Sequence, residues 1–144
     1  MTANNTAIKE VELQDPQAVV EGFLDACSAL DFDLGMTFID EHCVYKNMPF
    51  HTARGKARIK RDLTSMQKSM NLFEVEMVNI AASGKTVLTE RVDTIAGRFF
   101  RVEIPLMGVF VVENGKITEW RDYFDWTSVF GRMGRSVIRN PFKS

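Results

Sequence analysis

Five polar side chains in three short segments have the spacing of a reactive set: Tyr45 and Asn47 in VYKNMP, Arg91 and Asp93 in TERVD, and Asp122 in EWRDYFD. Each segment reads as a β-strand, on which side chains two residues apart share a face. Tyr45 therefore stands beside Asn47, and Arg91 beside Asp93. Asp122 lies between Trp120 and Phe124, on a face that is otherwise large and apolar. A carboxylate there needs partners, because an unpaired buried charge is strongly unfavourable. Two aspartates sharing one arginine suggest an acid–base device whose proton inventory the arginine fixes.

The strand Val87 to Ile95 is the most anomalous piece. One face carries Val87, Thr89, Arg91, Asp93 and Ile95; the other carries Leu88, Glu90, Val92 and Thr94. A solvent-exposed Arg–Asp pair is the bland reading, contributing about 0–1 kcal/mol. The neighbouring strand is apolar on both faces, with Val102, Ile104, Leu106 and Phe110 on one and Met107, Val109 and Val111 on the other. A central strand in such a sheet is expected to be covered on both sides, so its charges are paired inside or mark a site. Met48, Met66, Met70, Leu106, Phe110, Trp120 and Phe124 are the expected apolar wall of that site. Methionines in it give a pliable surface suited to lipophilic ligands. Arg121, Tyr123 and Asp125 fall on the opposite face from Asp122 and read as surface or interface, as do Glu90 and Lys46.

The elements that must hold these groups are legible from periodicity. Residues 1–14 are polar and aperiodic and read as a loose arm. Asp15-Pro16 offers an N-cap with proline in the first turn. Val19, Val20, Phe23, Leu24, Cys27 and Leu30 then recur at helical spacing, predicting a helix over 16–30. A shorter helix is expected from Asp31 to Ile39, with Leu34, Met36 and Phe38 inward. A strand over 43–48 is stopped by Pro49, a loop covers 50–55, and a basic helix over 56–70 buries Ile59, Leu63, Met66 and Met70. Four strands follow, FEVEMVNIAA, TVLTERVDTIA, FFRVEIPLMGVFVV and KITEWRDYFDW. Tight hairpins are expected at Ser83-Gly84-Lys85, Ala96-Gly97-Arg98 and Glu113-Asn114-Gly115, Asn-Gly being the strongest such signal. An amphipathic piece from Trp126 to Met133 ends at Gly134, before a basic tail over 135–144. Helices followed by a meander of long strands indicate a single α+β domain over 15–134, its curved sheet wrapped by helices around a deep, cone-shaped pocket. Pro105 reads as a bulge or bend that helps curve the sheet.

Composition narrows the function classes. A chain of 144 residues with 45% hydrophobic content fits one globular domain. Eighteen basic and nineteen acidic residues leave a formal charge of −1, which argues against a nucleic-acid footprint. No apolar stretch approaches the ~18 residues of a membrane span, and the N-terminus lacks a signal-peptide pattern. Cys27 and Cys43 read as buried free thiols, and neither they nor His42 and His51 have metal-ligand spacing. The expectation is a soluble, cytoplasmic protein without a metal.

The segments VYKNMP, LTERVD, LMGVF and KITEWRDYFD, in that order, resemble the motifs of the limonene-1,2-epoxide hydrolase family, within the SnoaL-like/NTF2-like superfamily. The resemblance runs from about Val20 to Phe130. It implies an NTF2-like cone with a curved mixed or antiparallel sheet, no cofactor and a small lipophilic epoxide as substrate. It further implies that Asp122, with Tyr45 and Asn47, holds and deprotonates the attacking water. Asp93 would donate a proton to the epoxide oxygen, and Arg91 would hold both carboxyls, with no covalent intermediate. One ionised and one neutral carboxyl at the same pH is the splitting such chemistry needs. The loop Phe50 to Arg54, the hairpin at Ala96 to Arg98 and the tail differ from the limonene enzyme, so substrate identity is the part least constrained. The same fold hosts cofactor-free isomerases and polyketide cyclases, and a lipophile-binding or dimerisation module is a third reading. Val109, Val111, Tyr123 and Leu88 place more apolar area on the outer sheet face than a monomer usually exposes, which predicts a homodimer packed through that face.

Overall fold

A computed structural model describes residues 15–125. The expected N-terminal arm, the amphipathic piece Trp126–Met133 and the basic tail lie outside the described residues. In chain order the elements are α1 (Pro16–Ser28), α2 (Phe32–Met36), β1 (Ile39–Met48), β2 (His51–Arg54), α3 (Lys56–Gln67), β3 (Leu72–Ser83), β4 (Thr86–Ala96), β5 (Arg101–Glu113) and β6 (Lys116–Phe124). The strands form one sheet in the order β2-β1-β6-β5-β4-β3. β1 runs parallel to β6 and every other pairing is antiparallel, so the sheet is mixed, and the helices pack on one face of it.

Apolar burial seats the helices. α1 turns Val19, Val20, Phe23, Leu24 and Cys27 inward at the spacing of one helical face. Phe23 meets Trp120 and Phe110 edge-on, with ring centroids 5.1 and 6.4 Å away. α3 adds Ile59 and Leu63 from above β1 and β2. Asp15 stands at the N-cap of α1, but its side chain accepts no capping bond; Asp31 does cap α2, accepting from the Leu34 amide.

Several sequence expectations shift. The second helix ends at Met36 because Ile39 already belongs to β1, and Leu34 is exposed while Phe32 and Met36 are buried. β1 begins at Ile39, not Cys43, and part of the expected loop 50–55 is an edge strand that pairs Ala53 with Tyr45. That strand is four residues long, too short for alternation to reveal it. The β3–β4 turn has Gly84 at φ 56°, and the β5–β6 turn has Asn114 and Gly115 at φ 51° and 74°, the positive values two-residue hairpins demand. The β4–β5 connection is looser: Ala96 pairs with Arg101, leaving a four-residue loop. Pro105 makes no bulge, since the β4–β5 register runs unbroken through it. It precedes the first β5–β6 pair, Leu106 with Phe124, so its missing N–H removes nothing from that ladder. Register shifts instead at Val78 in β3, between Ile39 and Val44 in β1, and between Val111 and Val112 where β5 meets β6.

The outer face of β4 is uneven in the single chain, Thr94 being buried and Leu88 and Glu90 exposed. The strand's inner side chains are buried, whereas Leu88, Met107 and Tyr123 on the outer face are 47%, 49% and 42% exposed. Arg91 and Asp93 are therefore enclosed by the helix-covered face, while Glu90 on the other face is exposed. Among the described residues no helix is long and apolar enough to cross a membrane.

Candidate active site

Strand register assembles the site. Asn47, Asp122, Gly108 and Thr89 form one cross-strand row over β1, β6, β5 and β4. Tyr45, Trp120, Phe110 and Val87 form the next row, two residues deeper. Arg91, pairing with Leu106, stands in the row on the other side of Gly108. Residues separated by up to 77 positions thus meet on one concave face.

Arg91 is 1% exposed, and its guanidinium spreads between two carboxylates. Nε donates to Asp93 Oδ1 at 3.0 Å and Nη2 to Asp122 Oδ1 at 2.9 Å. Nη1 donates to Thr89 Oγ1 at 3.0 Å, and the cation lies 5.8 Å from the Phe110 ring centroid. Trp120 Nε1 also donates to Asp122 Oδ1, at 2.8 Å, while its ring stacks on Tyr45 with centroids 3.9 Å apart. Tyr45 Oη reaches the other oxygen, Oδ2, at 3.5 Å. Asn47 Oδ1 is buried and has no hydrogen-bond partner among the described residues. Asp122 Oδ1 is thus held by two fixed donors, and Oδ2 is left with a single long contact.

All five predicted polar residues line a cavity of about 240 Å³. Met66, Trp120 and Phe124 contribute to its wall as expected from sequence. Met48, Met70, Leu106 and Phe110 are not part of that wall. Phe110 lies in the deeper row, fully buried and stacked against Trp120 at 5.8 Å; Leu106 and Met70 are also buried in the packing around the cavity. Helical residues missed at the sequence level take their place: Leu24, Cys27 and Phe32 from the first two helices and Leu63 from α3. Phe73, Ile95 and Ile104 add to the wall from β3, β4 and β5. Ile95 and Ile104 were legible as same-face neighbours of Asp93, whereas nothing in the sequence orients α1 toward the cavity. Thr89, Gly108 and the Trp120 N–H were also missed. A lone glycine inside a strand pattern is the signal that could have found the second, because it marks close approach.

The electrostatics separate the two carboxyls. Burial pushes the Asp93 pKa up to about 6, against the pull of Arg91 and with a small push from Asp122. Burial raises Asp122 as well, opposed by Arg91 and by hydrogen bonds from Trp120, Arg91 and Tyr45. Donors to an ionised carboxylate stabilise the charge. Among the described residues Asp122 has three such donors and Asp93 one, which favours the charge on Asp122 over the charge on Asp93. Burial disfavours the charge on Arg91, but Asp122 and Asp93 outweigh it and keep the guanidinium protonated. Tyr45 is raised well above its usual value, chiefly by burial, and remains a donor. The Cys27 thiol is pushed up to about 12 by burial and is a neutral wall group. Among the described residues no group of three or more His, Cys, Asp or Glu side chains is placed to hold a metal. With one of its two carboxyls protonated, the cluster is a neutral set that can accept a proton at one oxygen while releasing one at another.

The mixed six-stranded sheet with helices packed on one face has the SnoaL-like/NTF2-like fold. A SnoaL-like protein of Shewanella putrefaciens CN-32, assigned as a polyketide cyclase, matches with TM-score 0.76 at 16% identity, covering 83% of this chain and 96% of that one. That likeness is one of fold. The structure of an LEH-like epoxide hydrolase from M. tuberculosis matches with TM-score 0.79 at 37% identity, covering 90% of this chain and 95% of that chain. The limonene-1,2-epoxide hydrolase catalytic domain matches residues 14–135. Epoxide hydrolase EphG of Mycobacterium tuberculosis (strain ATCC 25618 / H37Rv) is 40% identical over 119 residues, 83% of this chain and 79% of that protein. The chain belongs to the limonene-1,2-epoxide hydrolase family and is an epoxide hydrolase of that type.

The raised Asp93 pKa has a consequence for stability. The folded value, about 6, lies above the ordinary 3.8. The stability this group lends is therefore full below the ordinary value and lost as pH rises through about 6. Asp93→Asn keeps an oxygen for Arg91 Nε but cannot ionise. Its Tm relative to the parent is expected to rise by roughly a few degrees between about pH 4 and pH 7. Thermal unfolding across that range checks this, and a Tm difference independent of pH would refute it.

Proposed function

We propose that the chain converts a lipophilic epoxide, cyclic or terpene-like, to a vicinal diol by one-step attack of water, with no cofactor. The observation that carries this reading is the bridge from Arg91 to Asp93 and Asp122, both buried. Beside it, Asp122 Oδ2, Tyr45 Oη and the unpaired Asn47 Oδ1 face one cavity. When water enters, Asp122 Oδ2 and Asn47 Oδ1 can accept its two hydrogens, and Tyr45 turns its hydrogen from the long 3.5 Å contact with Oδ2 to the water oxygen. As its oxygen bonds to a ring carbon, the water gives a proton to Asp122 Oδ2. The C–O bond of the ring breaks, and the epoxide oxygen takes the proton of Asp93. The cluster ends with the proton exchanged between the two aspartates and its total charge unchanged. Return of the proton from Asp122 to Asp93 through solvent restores the starting form. Arg91 holds the geometry and is not a proton carrier, because both carboxylates keep it charged. General acid and base assistance each contribute on the order of 10²–10⁴-fold. The aromatic and aliphatic wall, including Phe32, Phe73, Trp120 and Phe124, supports a lipophilic substrate.

In solution we expect a homodimer packed through the outer sheet face. Leu88, Met107 and Tyr123 lie there, together with the partly covered Val109 and Val111. A cytoplasmic location is supported by the free Cys27 and Cys43.

Three outcomes are expected. A single turnover in ¹⁸O-water places label in the diol and none in the protein; label in an aspartate carboxylate would sink the one-step route. Arg91→Lys keeps the charge but cannot make forked contacts, so kcat falls by at least ~10²-fold. Asp93→Asn and Asp122→Asn are as severe and the double variant scarcely worse, since the groups act as a unit. A folded Arg91→Lys enzyme with near-normal turnover would remove the bridge from the mechanism. Sedimentation should give about twice the 16.4 kDa chain mass, and a stable monomer at micromolar concentration would refute the dimer.

A further inference from the structure

Two carboxylates account for Nε and Nη2 of Arg91, but they do not fix the guanidinium by themselves. Both lie on edges of one planar fork, and the carboxyls are carried by different strands, so the fork can tilt with either. The third edge is Nη1, and its acceptor is Thr89 Oγ1 at 3.0 Å. Thr89 is fully buried and sits two residues before Arg91 on the same face of β4. Its hydroxyl donates to the Gly108 carbonyl oxygen across the strand pair at 3.4 Å. That bond spends the hydroxyl hydrogen and leaves the oxygen lone pairs for the guanidinium. Gly108 supplies the space as well as the acceptor. A Cβ on Gly108 would lie 2.3 Å from Arg91 Nη1, 2.6 Å from Thr89 Oγ1 and 3.1 Å from Asp122 Oδ1. All three distances are closer than a carbon can approach those atoms unmoved, and all three atoms belong to the charged cluster. The bland alternatives are a core threonine satisfied by a neighbouring carbonyl and a glycine tolerated in a strand. Neither accounts for one slot serving an arginine, a hydroxyl and a carboxylate together.

We infer that Thr89 and Gly108 form the seat of the Arg91 guanidinium, with Thr89 a positioning residue that sets both carboxyls through it. With three edges of the fork engaged, Arg91 has one orientation, and the free oxygens of Asp93 and Asp122 take their directions from it. Loss of the third contact lets the fork rotate, so acid and base lose their mutual alignment while the cavity wall is unchanged. The kinetic part of this inference rests on the hydrolytic reading above; the structural part does not.

The test compares Thr89→Val, which removes the hydroxyl at nearly constant shape, with Thr89→Ser, which keeps it. Gly108→Ala reaches the same seat from β5. Two readouts are taken on the full chain: steady-state hydrolysis of a cyclic terpene epoxide, and pH titration of the aspartate carboxyl carbons by ¹³C NMR. Thr89→Val and Gly108→Ala are expected to lower kcat on the order of 10- to 100-fold with KM little changed. Both should also move the titration of the Asp93/Asp122 pair, whereas Thr89→Ser restores most of the turnover and the parent titration. If Thr89→Val does not fold, Thr89→Ala takes its place. A folded Thr89→Val or Thr89→Ala protein with parental kcat and an unmoved titration would overturn the seat. If the parent hydrolyses no epoxide, the functional reading fails, and the carboxyl titration alone decides the seat.

Discussion

A buried guanidinium is the constraint on which the rest of this molecule depends. Desolvating a cation is unfavourable by several kcal/mol even after relaxation, and breaking a buried pair leaves an uncompensated charge. Arg91 offsets that with two carboxylates, a threonine oxygen and the face of Phe110. The dependence is mutual, since Asp93 and Asp122 are themselves buried and have no other cation in contact among the described residues. Strand register must then be correct to within one residue, because a slip would turn every inward side chain of β4 to the outer face. The unbroken β4–β5 ladder carries that register, pairing Thr89 with Gly108, and Gly108 in turn pairs with Asp122.

One cation serves two acids, and what distinguishes the acids is their other neighbours. Among the described residues Asp122 receives Trp120 and Tyr45 in addition to Arg91, while Asp93 receives Arg91 alone. The indole of Trp120 links the two sides of the water-holding group, stacking on Tyr45 while its N–H fixes Asp122. The asymmetry needed for acid–base work is thus a matter of donor count around otherwise identical groups. Because the carboxyls share a cation, their titration belongs to the pair.

Such a polar cluster would be replaced by apolar side chains if stability alone were selected. The fold compensates nearby. The Phe23, Phe110 and Trp120 rings pack against one another beside the cluster, and α1 and α3 add Val19, Val20, Ile59 and Leu63 to the same hydrophobic core. The sheet therefore has two unlike faces, one holding the site under helices and one presenting Leu88, Met107 and Tyr123 outward.

By itself the sequence determined the elements and the reactive set. Period-3.6 burial marked α1, period-2 alternation marked the long strands, and i, i+2 spacing put Arg91 with Asp93 and Tyr45 with Asn47, because these are local properties of backbone geometry. It did not determine what those residues meet. The parallel β1–β6 pairing that brings Asn47 against Asp122 joins segments about 75 residues apart, and no local pattern specifies it. The edge strand His51–Arg54 was too short to show a period, and Leu34 was misplaced because a five-residue helix has too few turns to fix a face. The pocket wall was only partly legible, since one cross-strand row divides between wall and core: Tyr45 and Trp120 border the cavity while Phe110 beside them does not. Tertiary structure also decided the roles of Thr89 and Gly108, since a hydroxyl in a strand and a missing side chain acquire meaning only when Arg91 lies across them.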